Sequence, residues 1–531
     1  MILLFGPPNP YINREELESP TIAPPLGLAL IGGCLEAKGN DVQIMDLACQ
    51  PVSDVDLSKI LIESRPEVVG ISCVMAHLEQ EVLDLARKIK VSAPDCLLVI
   101  GGNHATYSAK SILEQCMAID AVVMYDGEDT IMDVVSAHRS RLPLENIDGL
   151  ATRVAGKIVE TKARKKNKDL GHLPLPARHL LPFDKYPDKY KGQLITSRGC
   201  PFQCAFCATG SFHGRNVIFN PVGRVLDEIK DMIDNHNVTS LAFVDDTFTI
   251  NRKRVVDLCK AIHEYNPNLT WTCETRTDVL DRELLSLMAA TGCTEILFGI
   301  ESPTQKAINL SRKDFDLEKA KDILLITNEL GIKSRVNFII GMPGDDEEVA
   351  DRIIDFVSQT LPDTVHCCML AVYPGTPMYK NPRLFGIAEF STKYTADKQF
   401  TPMVITPGFN AIAQRRCYVR VARALAERFE GCPMNKAHET SKPKTLPRIY
   451  LRPSEIEYVD YQDYLVLIDP VTGRLAQLDP LSSLVWLLCD GITTCNEIAE
   501  SMKFENQAVS INDVLRITEN LAENYFLSAV E

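Results

Sequence analysis

The chain has 531 residues, 45% hydrophobic and 24% charged, a globular composition long enough for several domains and too long for a single small binding module. Its 56 Lys and Arg stand against 71 Asp and Glu, a net charge of −15, which gives no electrostatic reason to follow phosphate backbones, and nucleic acid is not an expected partner. No apolar run approaches the ~18 residues of a membrane span and the opening MILLFGPP has no basic leader, so a cytoplasmic chain off the membrane is expected, whose 17 cysteines do not read as a disulfide framework.

From the N-terminus, short apolar runs alternate with helical patterns: MILLF, the helix LGLALIGGCLEAKG, DVQIMD, a helix near 56–64, EVVGISC, the helix LEQEVLDLARKI, CLLVIGG and AVVMYDG. This spacing predicts a parallel sheet covered on both faces, a doubly wound (Rossmann-like) α/β domain over residues 1–142. Ligands of such sheets sit beyond the strand C-termini. There the sequence places Pro24-Pro25-Leu26-Gly27, Ser72 to His77, Gly101-Gly102-Asn103-His104 and Asp126-Gly127-Glu128. Residues 143–190 lose the pattern, carry Lys162, Arg164, Lys165, Lys166 and Lys168, and read as a basic linker.

Over 191–434 the alternation resumes with six strand patterns, QLITS, SLAFVDD, LTWTCE, EILFGIE, SRVNFIIG and VHCCMLAVY, all but the last followed by a helical stretch. They predict a partial (β/α)6 barrel with chemistry at the strand C-terminal ends. Residues 435–448 read as a second linker, and 449–531 as a small α+β domain. That tail opens with IEYVDY, YLVLID, a turn at Pro470 to Gly473 and RLAQL, then runs through helical LSSLVWLLCD, TCNEIAESM and INDVLRITENLAENYF. Residues 446–531 hold 5 basic and 14 acidic side chains, a net −9.

The strongest chemical signal is Cys200-Pro201-Phe202-Gln203-Cys204-Ala205-Phe206-Cys207, just after the first barrel strand. Three thiolates on one loop can hold three irons of a 4Fe-4S cluster and leave the fourth open as a coordination site. A zinc site, which wants a fourth ligand, and buried thiols without a role are the other readings.

With the segments at the following strand ends, this loop resembles the radical S-adenosylmethionine (SAM) enzymes. The resemblance implies a cluster on Cys200, Cys204 and Cys207, with SAM on its open iron and Phe206 against the adenine. It places Asp245 and Asp246 of FVDDTFT near the methionine amino group, with helix capping as their other reading, and puts Glu274, Arg276 and Glu301 at the next strand ends. NFIIGMPGD at 337–345 resembles the segment that backs the adenine.

PPLGLA, GIS, GGNHAT and DGEDT ahead of the cysteine loop resemble the cobalamin-dependent branch of that family, where a generic nucleotide-binding fold is the alternative. This implies cobalamin held by Pro25, Gly27, Ser72, Met75, His77, Gly101, Gly102, His104, Gly127 and Glu128. The loop FGPPNPY lacks the DxHxxG pattern that supplies a histidine to the lower face of cobalt. His77 lies in the loop found under the corrin in related enzymes, and either approaches the cobalt or is a surface or cap residue.

The tail, from Leu475 through Asp490-Gly491 to Tyr525-Phe526, resembles the winged-helix-like peptide-binding domain of pyrroloquinoline quinone biosynthesis, which recurs as a RiPP recognition element. That implies a precursor peptide bound through its leader as an added strand along the Tyr458 to Ile468 region; a structural cap on the barrel is the alternative. Together the resemblances imply methylation of an unactivated peptide carbon. A 5′-deoxyadenosyl radical would abstract the hydrogen, methylcobalamin would supply the methyl group, and a flavodoxin- or ferredoxin-type donor would supply electrons. Ring formation, rearrangement or epimerisation without methyl transfer is the other outcome. Alternation sends one of Cys367 and Cys368 into the barrel, and Tyr373-Pro374-Gly375-Thr376-Pro377 reads as a turn shaping the substrate cavity.

Overall fold

The computed structural model describes residues 1–9, 22–166, 169–392, 394 and 402–428, and in the tail 449–451, 457–460, 465–468, 475–478, 482, 485, 486, 489–495, 498, 511–523 and 528–530. The expected linker at 435–448 and the turn at Pro470 to Gly473 lie outside the described residues.

The N-terminal sheet is built from β1 (Ile2–Gly6), β2 (Val42–Asp46), β3 (Val68–Ser72), β4 (Leu97–Gly101) and β5 (Ala121–Val123). Between them run α1 (Leu26–Glu36), α2 (Asp54–Ser64), α3 (Glu79–Ser92) and α4 (Asn103–Gln115), and α5 (Glu128–Ser140) follows. The five strands are parallel in the order β2-β1-β3-β4-β5. Helices cover both faces, which is why every residue of β1 is buried. The order reverses between β1 and β3, so their C-terminal ends diverge and open a crevice.

The segment expected to be a linker is largely built into the fold. β6 (Leu150–Val154) and β7 (Lys157–Glu160) extend the sheet to seven strands as an antiparallel hairpin. Ala155 and Gly156 at its tip both have positive φ, 48° and 78°, the two-residue turn that matches strand twist. Basic flanks hide this hairpin in the sequence. Further on, the Ala177 N–H donates to the Ala29 carbonyl of α1 at 2.8 Å, and a Cβ on Gly33 would come within 2.5 Å of the Leu175 carbonyl. After α6 (Asp188–Lys191) the chain enters the second domain.

There, β8 (Gln193–Leu194) leads into β9 (Ser197–Arg198), which pairs antiparallel with β10 (Ile218–Phe219) around the cysteine loop and the short α7 (Thr209–Phe212). The remaining strands are β11 (Ser240–Phe243), β12 (Thr270–Thr275), β13 (Cys293–Glu301), β14 (Lys333–Ile340) and β15 (Thr364–Met369). With β8 they form a six-stranded parallel sheet in sequential order, an open barrel. α8 (Val222–His236), α9 (Arg252–Tyr265), α10 (Arg282–Ala290), α11 (Gln305–Leu310), α12 (Leu317–Glu329) and α13 (Val349–Thr360) make the crossovers. After α14 (Pro377–Lys380), the pair β16 (Glu389–Phe390) and β17 (Val404–Ile405) leads to α15 (Ala411–Arg428), which packs on α13 and β15.

Alternation decides which side chains meet the helices and which line the concave face. On β15, Val365, Cys367 and Met369 join the helix-facing core, so Cys368 is the cysteine of the pair on the other face. On β14, Val336, Phe338 and Ile340 are buried while Arg335, Asn337 and Ile339 alternate with them.

Among its described residues the tail holds two three-stranded sheets. β19 (Glu457–Asp460) and β20 (Leu465–Ile468), on the two expected strand patterns, form an antiparallel meander with β21 (Leu475–Leu478), while β22 (Asp490–Thr494), β18 (Ile449–Leu451) and β23 (Ser528–Val530) form an unexpected second sheet in the order β22-β18-β23. Its members are short and pair across the whole tail, Ile449 with both Thr494 and Val530, so no local pattern announces them. Within the expected Tyr458 to Ile468 edge, β19 is the edge strand and β20 the central one. α16 (Ile511–Glu523) buries Val514, Thr518 and Leu521, and β22 touches α15.

Candidate functional site

The cysteine loop is pinned at both ends by one carboxylate. Asp246 accepts the Gly199 N–H at 2.9 Å and the Thr209 hydroxyl at 2.8 Å, and those residues flank Cys200 and Cys207. Cys200, Cys204 and Cys207 are partly exposed on this loop, and Cys200 Sγ lies 3.3 Å from Thr247 Oγ1. Burial pushes the Cys204 thiol up to about 11, with Lys313 and Arg276 acting in the opposite direction. Arg276 Nη1 is 3.5 Å from Cys204 Sγ, and its guanidinium lies 3.7 Å over the Phe202 ring. Asp278 holds it through two bonds of 2.8 and 2.7 Å, and the Lys313 carbonyl accepts a third at 2.6 Å. Two cations beside three partly accessible thiols suit thiolates that carry a cluster. Among the described residues no three His, Cys, Asp or Glu converge to hold a metal ion, whereas a cubane asks each thiolate to reach a different iron.

Asp245 departs from its expected place at the amino-group site. It is 1% exposed, and its carboxylate accepts the Thr196 N–H at 3.0 Å, the Ser197 hydroxyl at 2.5 Å and the Thr196 hydroxyl at 3.0 Å. These bonds tie the end of β8 to the end of β11, and burial still raises the carboxyl to about 6. Neither aspartate caps the short 3-10 turn at Phe248–Ile250. Glu274 lies on the β12 face opposite Trp271 and Cys273, its carboxyl raised by burial against the opposing pull of Arg335. Glu301 receives Lys313 Nζ at 2.7 Å, and that ammonium lies 5.8 Å from the Phe206 ring centre. No local sequence pattern marks Lys313, because its place beside the cysteine loop depends on a tertiary contact.

A cavity of about 380 Å³ opens in the crevice between β1 and β3 and reaches Arg198 and Thr209, on either side of the cysteine loop. Gly27, Ser72, Gly101, Gly102, Gly127 and Glu128 line it as expected, and from the second domain Ile195, Arg198, His213 and Asp246 complete it. Its floor is apolar, with Leu4 and Val99 beside Gly70, where an added Cβ would meet Leu4 Cδ2 at 2.8 Å. Gly102, at φ 118°, has no room for a side chain because a Cβ would lie 2.8 Å from the Cys73 carbonyl. Val74 and Ile195, 53% and 39% exposed on its wall, are apolar surface of the kind a bound cofactor covers. A slot with an apolar floor, glycines at its closest approaches and a polar rim fits a large, partly flat cofactor.

His77 and His104 do not line this cavity. They line a separate groove of about 700 Å³ with Glu79, Tyr107, Tyr379 and Tyr394. His104 is 8% exposed, with Nε2 2.6 Å from a Glu79 carboxylate oxygen, and burial together with the neighbouring His104 lowers the His77 pKa. Met75 is 51% exposed and lines neither space, and Pro25 precedes α1 as its N-cap residue.

The family described as B12 binding domain matches residues 17–135, the radical SAM superfamily matches 194–357, and coenzyme PQQ synthesis protein D matches 464–527. A B12-binding domain whose crevice is closed by residues flanking the cysteine loop of a radical SAM domain defines the class. The chain pairs a B12-binding domain with a radical SAM domain, as cobalamin-dependent radical SAM enzymes do, and its cofactors are cobalamin, SAM and a 4Fe-4S cluster. An uncharacterized methyltransferase of Pyrococcus horikoshii is 29% identical over 381 residues, 71% of this chain and 82% of its own. The anaerobic magnesium-protoporphyrin IX monomethyl ester cyclase of Rubrivivax gelatinosus is 26% identical, over 72% of this chain and 70% of its own. Among solved structures, the radical SAM methyltransferase TsrM of Kitasatospora setae, with cobalamin and a 4Fe-4S cluster bound, has TM-score 0.63 at 16% identity over 82% of this chain and 97% of its own. The cobalamin-dependent SAM radical enzyme OxsB gives 0.65 at 16% identity over 83% of this chain and 69% of its own, a likeness of fold. No described helix is long and apolar enough to cross a membrane.

Proposed function

We propose that the protein is a C-methyltransferase that modifies an unactivated carbon of a ribosomally made precursor peptide. The observation that carries this is the PqqD-type domain on the same chain as both cofactor domains. β22 of that domain touches α15, which packs on β15, the edge strand of the open barrel, so a peptide held by the tail is tethered beside the barrel's open side. Extended peptides bind such domains by adding a strand, and β19 and β21 are the edges of the meander. The tail's net −9 favours a leader with basic residues.

Cys200, Cys204 and Cys207 would hold the cluster, Phe206, Asp246, Glu274, Arg276, Glu301 and Lys313 would surround SAM, and the crevice from Gly70 to Glu128 would take cobalamin. When bound, these cofactors supply one-electron cleavage of SAM and a transferable methyl group. The chain's own part is positional. Arg276 and Asp246 fix the cysteine loop, the Glu301–Lys313 pair fixes the wall beside Phe206, and the apolar crevice keeps water from the reacting centre. A flavodoxin- or ferredoxin-type protein is the proposed electron donor.

Anaerobic reconstitution with iron, sulfide and cobalamin, followed by reductant and methyl-deuterated SAM, tests the reaction class. Formation of 5′-deoxyadenosine, S-adenosylhomocysteine and labelled methylcobalamin is expected. Deoxyadenosine alone would move the assignment to ring formation or rearrangement, a reading supported by the similarity to the cyclase of Rubrivivax gelatinosus. Removal of residues 449–531 is expected to abolish modification of full-length precursor while leaving deoxyadenosine formation in place.

A further inference from the structure

The wall shared by the two cofactor sites carries a charged fork. Arg198 Nη1 is 3.0 Å from Asp126 Oδ1 and its Nη2 is 2.5 Å from Glu128 Oε1. The arginine side chain is 14% exposed and that of Glu128 8%, so the contact is largely screened from water. Glu128 opens α5, where the helix N-terminus favours its charge. His213 Nδ1 stands 3.6 Å from the same Asp126 oxygen.

All four residues line the cobalamin crevice. Arg198 is also two residues ahead of Cys200, and the intervening Gly199 donates its N–H to Asp246, another residue of the crevice wall. Asp246 in turn holds Thr209, two residues beyond Cys207. A path of hydrogen bonds joined by the Arg198–Gly199 backbone therefore runs from the B12-binding domain to both ends of the cysteine loop.

We infer that Arg198 is a positioning residue that couples the two cofactor sites: cobalamin in the crevice orders the Asp126–Arg198–Glu128 fork and thereby the cysteine loop on which SAM binds. Because the cofactor that arrives first orders the shared wall, the second meets a loop already arranged, and each tightens the other by one common factor. The inference concerns cofactor binding and stands whether or not the substrate is a peptide.

The test is the dissociation constant of labelled SAM on the cluster-reconstituted full chain, by equilibrium dialysis, with and without hydroxocobalamin. Cobalamin is expected to tighten SAM at least about fivefold in the native protein. In the pair variant Arg198→Gln with Glu128→Gln, which removes both buried charges together, the factor is expected to fall to about one, with iron content and thermal midpoint retained. Asp126→Asn, at the more exposed arm, is expected to give an intermediate factor. Equal SAM affinity with and without cobalamin in the native protein overturns the inference, whatever the variants do. So does an undiminished factor in either variant. Loss of deoxyadenosine formation with the coupling factor intact would count against the proposed reaction and leave the coupling standing.

Discussion

Lys313 Nζ lies 2.7 Å from Glu301 Oε1, and the absence of a side chain at Gly299 makes the contact possible. A Cβ there would stand 2.4 Å from that carboxylate oxygen and 2.8 Å from the ammonium. Glu301 itself sits at φ 67°, a backbone region that a glutamate adopts only when its surroundings hold it. The pair's side chains are 13% and 6% exposed, close to the face of Phe206.

Removing one member leaves the other buried without its partner. Lys313→Met is expected to destabilise the chain by about 3 kcal/mol and to weaken SAM binding, while Glu301→Gln with Lys313→Met recovers most of the stability and none of the binding. Chemical unfolding of the single and paired variants, together with SAM dialysis, checks this. Stability unchanged in Lys313→Met would show the pair to be superficial.

Gly70 forms the floor of the crevice, and a larger residue there projects toward Leu4 Cδ2, the far end of a side chain that can move aside. Gly70→Val is therefore expected to fold and to lose cobalamin affinity by about tenfold or more, because the new methyl groups occupy the slot. Cobalamin retained on gel filtration, read from its visible absorbance, makes the measurement. Full retention would place the cofactor elsewhere.

His77 and His104 face the second groove, and His104 is engaged with Glu79. His77→Ala is expected to leave the electron paramagnetic resonance spectrum of bound cob(II)alamin unchanged. Loss of nitrogen hyperfine structure in that variant would show that His77 reaches the cobalt.

Asp345 closes the GMPGD turn. One of its oxygens accepts the N–H groups of Gly341 and Met342 at 3.1 and 2.9 Å, the other is buried without a partner, and burial raises the carboxyl to about 7. The unfolded chain ionises it near pH ~3.9, so its contribution to stability is complete below that pH and is lost as the pH rises toward 7. Relative to Asp345→Asn, the native chain should lose on the order of 3 kcal/mol between pH 4 and pH 7. Unfolding midpoints of both proteins across that range decide it, and parallel curves would refute the shift.

Much of the fold was legible because its signals are local. The strand runs of β1 to β5 and of β11 to β14 are apolar stretches followed by helical periodicity, and the three-cysteine spacing is a local constraint on one loop. The β6–β7 hairpin was obscured by the basic residues around it, and β18, β22 and β23 by their pairing across the length of the tail. At the site, Gly27, Ser72, Gly101, Gly102, Gly127 and Glu128, all at or beyond strand ends, line one crevice, but strand-end position could not separate Asp245 from Asp246. Adjacent residues at a strand end point in opposite directions, and only the packed neighbours Thr196 and Ser197 decide that Asp245 is consumed in the interior.

The sequence by itself determined the parallel strands and helices of the two larger domains and which chemistry the cysteine loop supports, because hydrophobic period and ligand spacing are properties of the chain. Only the tertiary structure decided that Arg198 spans two domains, that Lys313 stands beside Glu301 and Phe206, and that the two histidines turn away from the crevice. Those contacts join residues far apart in the chain, whose meeting depends on how whole domains pack and not on any pattern within them.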